Sequence, residues 1–280
     1  MSLSQWQRYL EDGRLTIRSN QAYNEDPAAD TAKTRSVLRV GFFRGNLPWS
    51  YLDDQNLLKG FDIEIAHRLA SHLNCQLEFY PIEHDKAPAY LNAGVLDIIM
   101  SGVPVTTSNV ADYTFSQSYL KLYAAMLIPK NEQMERIFSS ADIFKQTEEV
   151  IFGVVDPSPF IPDIKAVYPN LTLKPYASDY QFLEQNAPSE ALYTSAEAGS
   201  AWSLVYPNYK VVIPARNWTY NLAYPINPAD LEFQHFFNQW LGVELESTES
   251  QSIYDFWILG HPRDELEPRW SVWRNVLGRE

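Results

Sequence analysis

The sequence predicts an α/β fold organised around a parallel sheet, on three observations made between Val37 and Leu120. Apolar runs of strand length recur there, helical apolar spacing separates them, and each run ends in a polar or Gly-containing loop. Leu38–Phe43 is the first run, with β-branched and aromatic residues, and it stops at Arg44-Gly45-Asn46. Phe61–Ala70 places apolar residues at 61, 65, 66 and 69, which is one face of a helix. Gln76–Tyr80 reads as a second strand and Leu96–Met100 as a third, buried one. Strand, helix, strand, helix, strand implies parallel pairing through right-handed crossovers. Ligands in such sheets bind outside the carboxyl ends of the strands, which here are the loops 44–49 and 101–109.

The remaining elements follow in order. Ser4–Leu10 suits a short amphipathic helix, and 19–34, rich in Asn, Asp and Ala, reads as a linker. Leu120–Pro129 is a long apolar strand. Val150–Val155 is another, followed by the turn Asp156-Pro157-Ser158-Pro159 and a helix over Ile161–Tyr168. Strands are expected at Leu171–Pro175, Ala191–Thr194 and Lys210–Ile213, with a helix containing Glu197–Val205. Tyr220–Ile226 is extended, Pro228–Leu241 is helical, and Ser252–Leu259 is an aromatic packing segment. The end of the chain reads as a tail with a short helix near Trp270–Leu277.

At 280 residues the chain can bury a large core and hold two lobes of ordinary size. Its 45% hydrophobic and 20% charged residues belong to a globular protein. A net charge of -13 argues against a nucleic-acid partner, which needs clustered Lys and Arg. The single cysteine, Cys75, cannot close an internal disulfide and reads as a buried structural thiol. No metal-ligand spacing and no Gly-rich phosphate loop is present, so no metal and no cofactor are expected. No run of 18 apolar residues occurs, and the first residues lack the basic-then-apolar pattern of a secretory leader. Any targeting or membrane segment is therefore expected to lie outside these residues.

Seven elements stand in a fixed order: Leu38-Arg39-Val40-Gly41, Pro48-Trp49-Ser50-Tyr51, Lys59-Gly60-Phe61-Asp62, Leu91-x-x-Gly94-x-x-Asp97, Met100-Ser101-Gly102, Thr106, and Phe115-Ser116-x-x-Tyr119. In order and spacing they resemble the family 3 extracytoplasmic solute-binding proteins that serve amino-acid transporters. The resemblance covers roughly 36–260. It implies the type II periplasmic binding protein fold, two lobes with central, mostly parallel sheets flanked by helices and joined by two hinge crossovers. On that fold the first lobe takes 36–126 plus 219–260, the second 127–218, with an N-terminal segment 1–35 and a tail 261–280. The phrases Ser195–Trp202, Tyr254–Gly260 and Arg269–Leu277 are similar to a subgroup in which such a domain follows a cation:dicarboxylate or amino-acid symporter.

The resemblance also implies a set of ligand contacts, and here the chain departs from the family pattern. The family holds an α-carboxylate with an Arg whose fork can bond both oxygens. Ser101 and Gly102 sit at the strand end and Thr106 matches the motif threonine, but the arginine position is Asn109. A backbone donor position is Pro104, which has no N–H. The acid that pairs with a ligand ammonium is replaced by Ser195, with Glu197 two residues on. Asn46, Trp49 and His84 supply an aromatic and polar lining, His84 either as a stacking ring in the cleft or as a surface histidine. Ser158 either faces the ligand or caps its helix. Arg44 and Arg216 are the basic residues nearest the expected cleft.

The expected function is capture of a small polar solute, amino-acid-like or dicarboxylate, between two closing lobes and delivery to a membrane transporter, by a monomeric extracytoplasmic domain that is not an enzyme. A degenerate sensing module is the alternative. A cyclic-acid dehydratase is the further one, for which His84 and Glu197 are the only acid–base pair on offer.

Overall fold

The computed structural model describes residues 35–52, 57–139, 150–155, 161, 164–165, 171–213 and 219–261. The first of two large sheets contains β1 (Val37–Phe42), β4 (Gln76–Pro81), β5 (Ile98–Ile99), β7 (Thr114–Phe115) and β14 (Pro225–Ile226), in the order β4-β1-β5-β14-β7. β4, β1 and β5 are parallel, and β14 and β7 close the sheet antiparallel. Leu38, Val40 and Phe42 of β1 join Leu77 and Phe79 of β4 in one buried cluster, while Ile99 joins a cluster on the opposite face with Ala87 and Leu91. This is the period-two alternation of a sheet covered on both sides.

Helix α1 (Phe61–Leu73) covers one face with the predicted apolar residues, Phe61, Ile65, Ala66 and Leu69, all buried. Its start is set by Gly60, at φ +139, where a Cβ would fall 2.2 Å from the Trp49 carbonyl oxygen. The carbonyls of Pro48 and Trp49 accept from the N–H groups of Phe61 and Asp62, at 2.9 and 3.1 Å. Two donors that a helix start leaves open are thereby satisfied, and the backbone of Trp49 is pinned. Asn74 ends the helix in the left-handed region, φ 53. The opposite face carries the short α2 (Ala87–Asn92). A small antiparallel pair, β2 (Tyr51–Leu52) and β3 (Leu58–Lys59), precedes α1.

The second large sheet is ordered β10-β9-β11-β8-β13-β6. Its strands are β6 (Pro104–Val105), β8 (Leu120–Pro129), β9 (Ile151–Val155), β10 (Leu173–Tyr176), β11 (Glu190–Ser195) and β13 (Thr219–Leu222), with β12 (Tyr209–Val212) on β8. β10, β9 and β11 are parallel. The ten residues of β8 divide their partners: 120–123 pair with β13, and 124–129 with β11 and β12. Helices α3 (Glu132–Ser139), α4 (Asp179–Gln185) and α5 (Ala196–Val205) follow strands of this sheet. The chain ends its described part in α6 (Leu231–Glu244) and α7 (Thr248–Trp257), joined to α1 through Arg68, which bonds Glu244, itself an acceptor for Ser250 Oγ at 2.8 Å.

Most expected elements appear within a few residues of their predicted limits. The strand expected over Leu96–Met100 is shorter, two residues, and the aromatic segment at Ser252–Leu259 belongs to α7. Cys75 is buried and forms no disulfide. The helices expected at Ser4–Leu10 and Trp270–Leu277, and five of the eight residues of that expected at Ile161–Tyr168, lie outside the described residues, as do Ser158 and Arg216.

Candidate ligand-binding cleft

A cavity of about 500 Å³ opens where the carboxyl ends of both parallel sets of strands meet. From the first sheet, Phe43, Asn46 and Trp49 follow β1, His84 follows β4, and Ser101 and Gly102 follow β5. From the second, Val155 ends β9, Asp179 follows β10, and Ser195 ends β11. A volume of this size suits a small metabolite.

The floor is held by hydrogen bonds running inward. Gly102 sits at φ +60, and a Cβ there would stand 2.3 Å from Trp49 Cδ1, so the indole lies directly on the glycine. The Gly102 N–H donates to Asp62 Oδ2 at 2.5 Å. Asp62 also accepts from the hydroxyls of Tyr119, 2.9 Å, and Tyr224, 2.7 Å. Burial raises the Asp62 pKa to about 7, against the lowering effect of those three donors. The Ser101 hydroxyl accepts from the Phe43 N–H at 2.9 Å and shares a hydrogen bond with Ser50 at 2.5 Å. The Asn46 amide donates to the Ser101 carbonyl at 2.6 Å.

Asn109, the residue expected at the family's arginine position, is committed within its own loop. Its Nδ2 donates to the Pro104 carbonyl at 2.8 Å and its Oδ1 accepts from the Thr106 N–H at 3.0 Å. Thr106 pairs its hydroxyl with Ser108 at 2.9 Å and stands outside the lining. His84 lines the cavity with its ring stacked on Phe43, centroids 3.6 Å apart, while keeping an exposed face. The surrounding walls lower its pKa although part of the ring meets water, and Asp85 opposes the shift.

On the other wall, Ser195 caps α5, accepting from the Ala198 N–H at 3.0 Å. Glu197 lies in the first turn of α5 outside the cavity lining, and its Oε2 is buried without a hydrogen-bond partner. Burial raises its pKa. The acid that does line this wall, and that the sequence did not single out, is Asp179. It opens α4 after the cap Ser178 and accepts from Trp202 Nε1 at 3.2 Å. Part of its surface remains open to the cavity, yet the wall around it raises its pKa to about 6, with Trp202 opposing. Arg44 is exposed and does not line the cavity.

Two α/β lobes presenting their strand ends to one shared cavity define a two-lobed binding protein of the periplasmic type. The chain belongs to the bacterial extracellular solute-binding proteins, family 3, whose sequence pattern matches residues 38–260. A relative named "Probable histidine-binding protein", from Neisseria gonorrhoeae, is 30% identical over 156 residues, 55% of this chain and 56% of the relative. The chain thus spans about half the length of the curated relatives it matches. Among solved structures, the ancestral amino acid-binding protein AncCDT-1, described as a precursor of cyclohexadienyl dehydratase, superposes with a TM-score of 0.69 at 24% identity, covering 80% of this chain and 96% of that one. A solute receptor for L-cysteine of Neisseria gonorrhoeae gives 0.70 at 20% identity, covering 85% and 97%. Both are similar in fold.

Proposed function

We propose that this chain captures a small nitrogen-containing solute between its lobes and presents it to a membrane transporter outside the cytoplasm. The observation that carries the reading is the cavity at the joined strand ends of a family 3 chain, sized for one metabolite. The amino-acid solutes in the names of its relatives support the same size class. A dicarboxylate finds less support, because Asp85, Asp112 and Asp179 line the cavity and no Lys or Arg does among the described residues. A dehydratase would need an acid and a base within reach of one substrate, and of the pair His84 and Glu197 only His84 lines the cavity.

The test is a thermal-shift screen of the purified chain against amino acids, amines, dicarboxylates and small sugars. A ligand at 100 times its Kd stabilises by about 2.7 kcal/mol, a rise in Tm of about 5–10 °C. No shift with any member of the panel sinks the reading.

A further inference from the structure

We propose that the solute is a small organic cation without a carboxylate, a primary amine or diamine, and that Asp179 is its counter-charge. The proposal rests on the solute-capture reading above and narrows it.

The first ground is that the polar groups at the end of β5 and in the loop after it are already engaged within the protein. The N–H of Gly102 is spent on Asp62, the amide of Asn46 on the Ser101 carbonyl, and the amide of Asn109 on the Pro104 carbonyl. The Thr106 N–H is spent on Asn109, and the Ser101 hydroxyl is engaged with Ser50 and the Phe43 N–H. Position 104 is a proline and donates nothing. A carboxylate placed against these groups would have to break bonds they already make or go short of partners, which is unfavourable for a charged group.

The second ground is the charge of the lining. Among the described residues it holds three carboxylates, Asp85 and Asp112 exposed at the mouth on the first lobe and Asp179 across from them, with no lysine or arginine. Asp179 accepts one neutral hydrogen bond, from Trp202, and no cation of the described residues pairs with it. A part-buried carboxylate without a cation gains most from a ligand that brings one. Acids on facing walls also offer a separate partner to each end of a diamine.

The third ground is aromatic. Phe43, Trp49, Tyr113, Tyr193 and Tyr220 line the same space. Ring faces attract ammonium groups and leave the alkyl stem in apolar surroundings.

The experiment is calorimetric titration of the full chain with matched pairs that differ only by the carboxylate: 1,4-diaminobutane against ornithine, and histamine against histidine. At least one amine is expected to bind, with its amino-acid partner at least tenfold weaker. Asp179→Asn, which keeps an oxygen for Trp202, is expected to weaken that amine at least tenfold. An amino acid that binds as tightly as its amine overturns the proposal, and so does an amine whose affinity Asp179→Asn leaves unchanged. The matched pairs are measured on the unmodified chain, so the proposal stays open to refutation even if the variant misfolds. If neither pair binds but another solute of the wider panel does, the amine proposal fails and solute capture stands. If nothing in that panel binds, both fail.

Discussion

Asp62 shows how one side chain can fix a binding wall without touching a ligand. Its two oxygens collect the Gly102 N–H and the hydroxyls of Tyr119 and Tyr224, which lie stacked with ring centroids 4.1 Å apart. Removing the carboxylate leaves three buried donors unsatisfied, each at about 1–3 kcal/mol, so Asp62→Ala is expected to cost at least about 3 kcal/mol in chemical denaturation. The folded-state pKa, about 7, lies above the ordinary value of 3.8. The folded chain therefore holds this proton more tightly than the unfolded chain. Its stabilising effect is complete below about pH 4 and fades as pH rises through 7. Asp62→Asn is expected to remove that part of the pH dependence of stability between about pH 4 and 7; an unchanged profile would show that Asp62 does not titrate there.

The helix starts decide which polar side chains are free to act. Ser195, expected from the sequence to stand where the family has its ammonium-binding acid, uses its hydroxyl to cap α5 through the Ala198 N–H. Ser195→Ala is accordingly expected to cost about 1 kcal/mol of stability, read from the denaturation midpoint. Asn109, expected from the sequence to stand at the family's arginine position, likewise closes its own loop. Both substitutions were plain in the sequence, whereas what the new residues do instead was not, since a cap and a ligand contact use the same atoms. Asp179 was hidden for a related reason. An acid in the first turn of a helix is ordinary, because it favours the positive end of the helix dipole. Only the direction in which β10 delivers α4 places it on the cavity wall. The strands were legible because apolar runs such as Leu120–Pro129 have few other structural readings, and α1 because its apolar spacing is regular.

For the molecule as a whole, solute capture requires the two lobes to approach, so that contacts made by both walls offset the ordering they impose. A bound solute is expected to lower the radius of gyration in small-angle scattering, while a saturating ligand that leaves it unchanged would point to a cleft that does not close. The order of strands and helices around the first sheet was readable from the seven sequence elements. The charge of the cleft was not, because its acids come from three separate stretches of the chain. Only the fold brings Asp85, Asp112 and Asp179 around one space.

The strand β8 and its return partner β13 are hydrogen-bonded to each other in fixed register, Tyr123 opposite Thr219 through Leu120 opposite Leu222. The two passages of the chain between the lobes are thus one ribbon. A residue inserted in either passage would turn every following side chain to the wrong face, unless a compensating change arose in the other. Descendants of this gene should accordingly vary freely in the chemistry of the cleft while keeping both passages at constant length. Change in the lining of the cleft is then easy to evolve, and change in the length of the ribbon is hard.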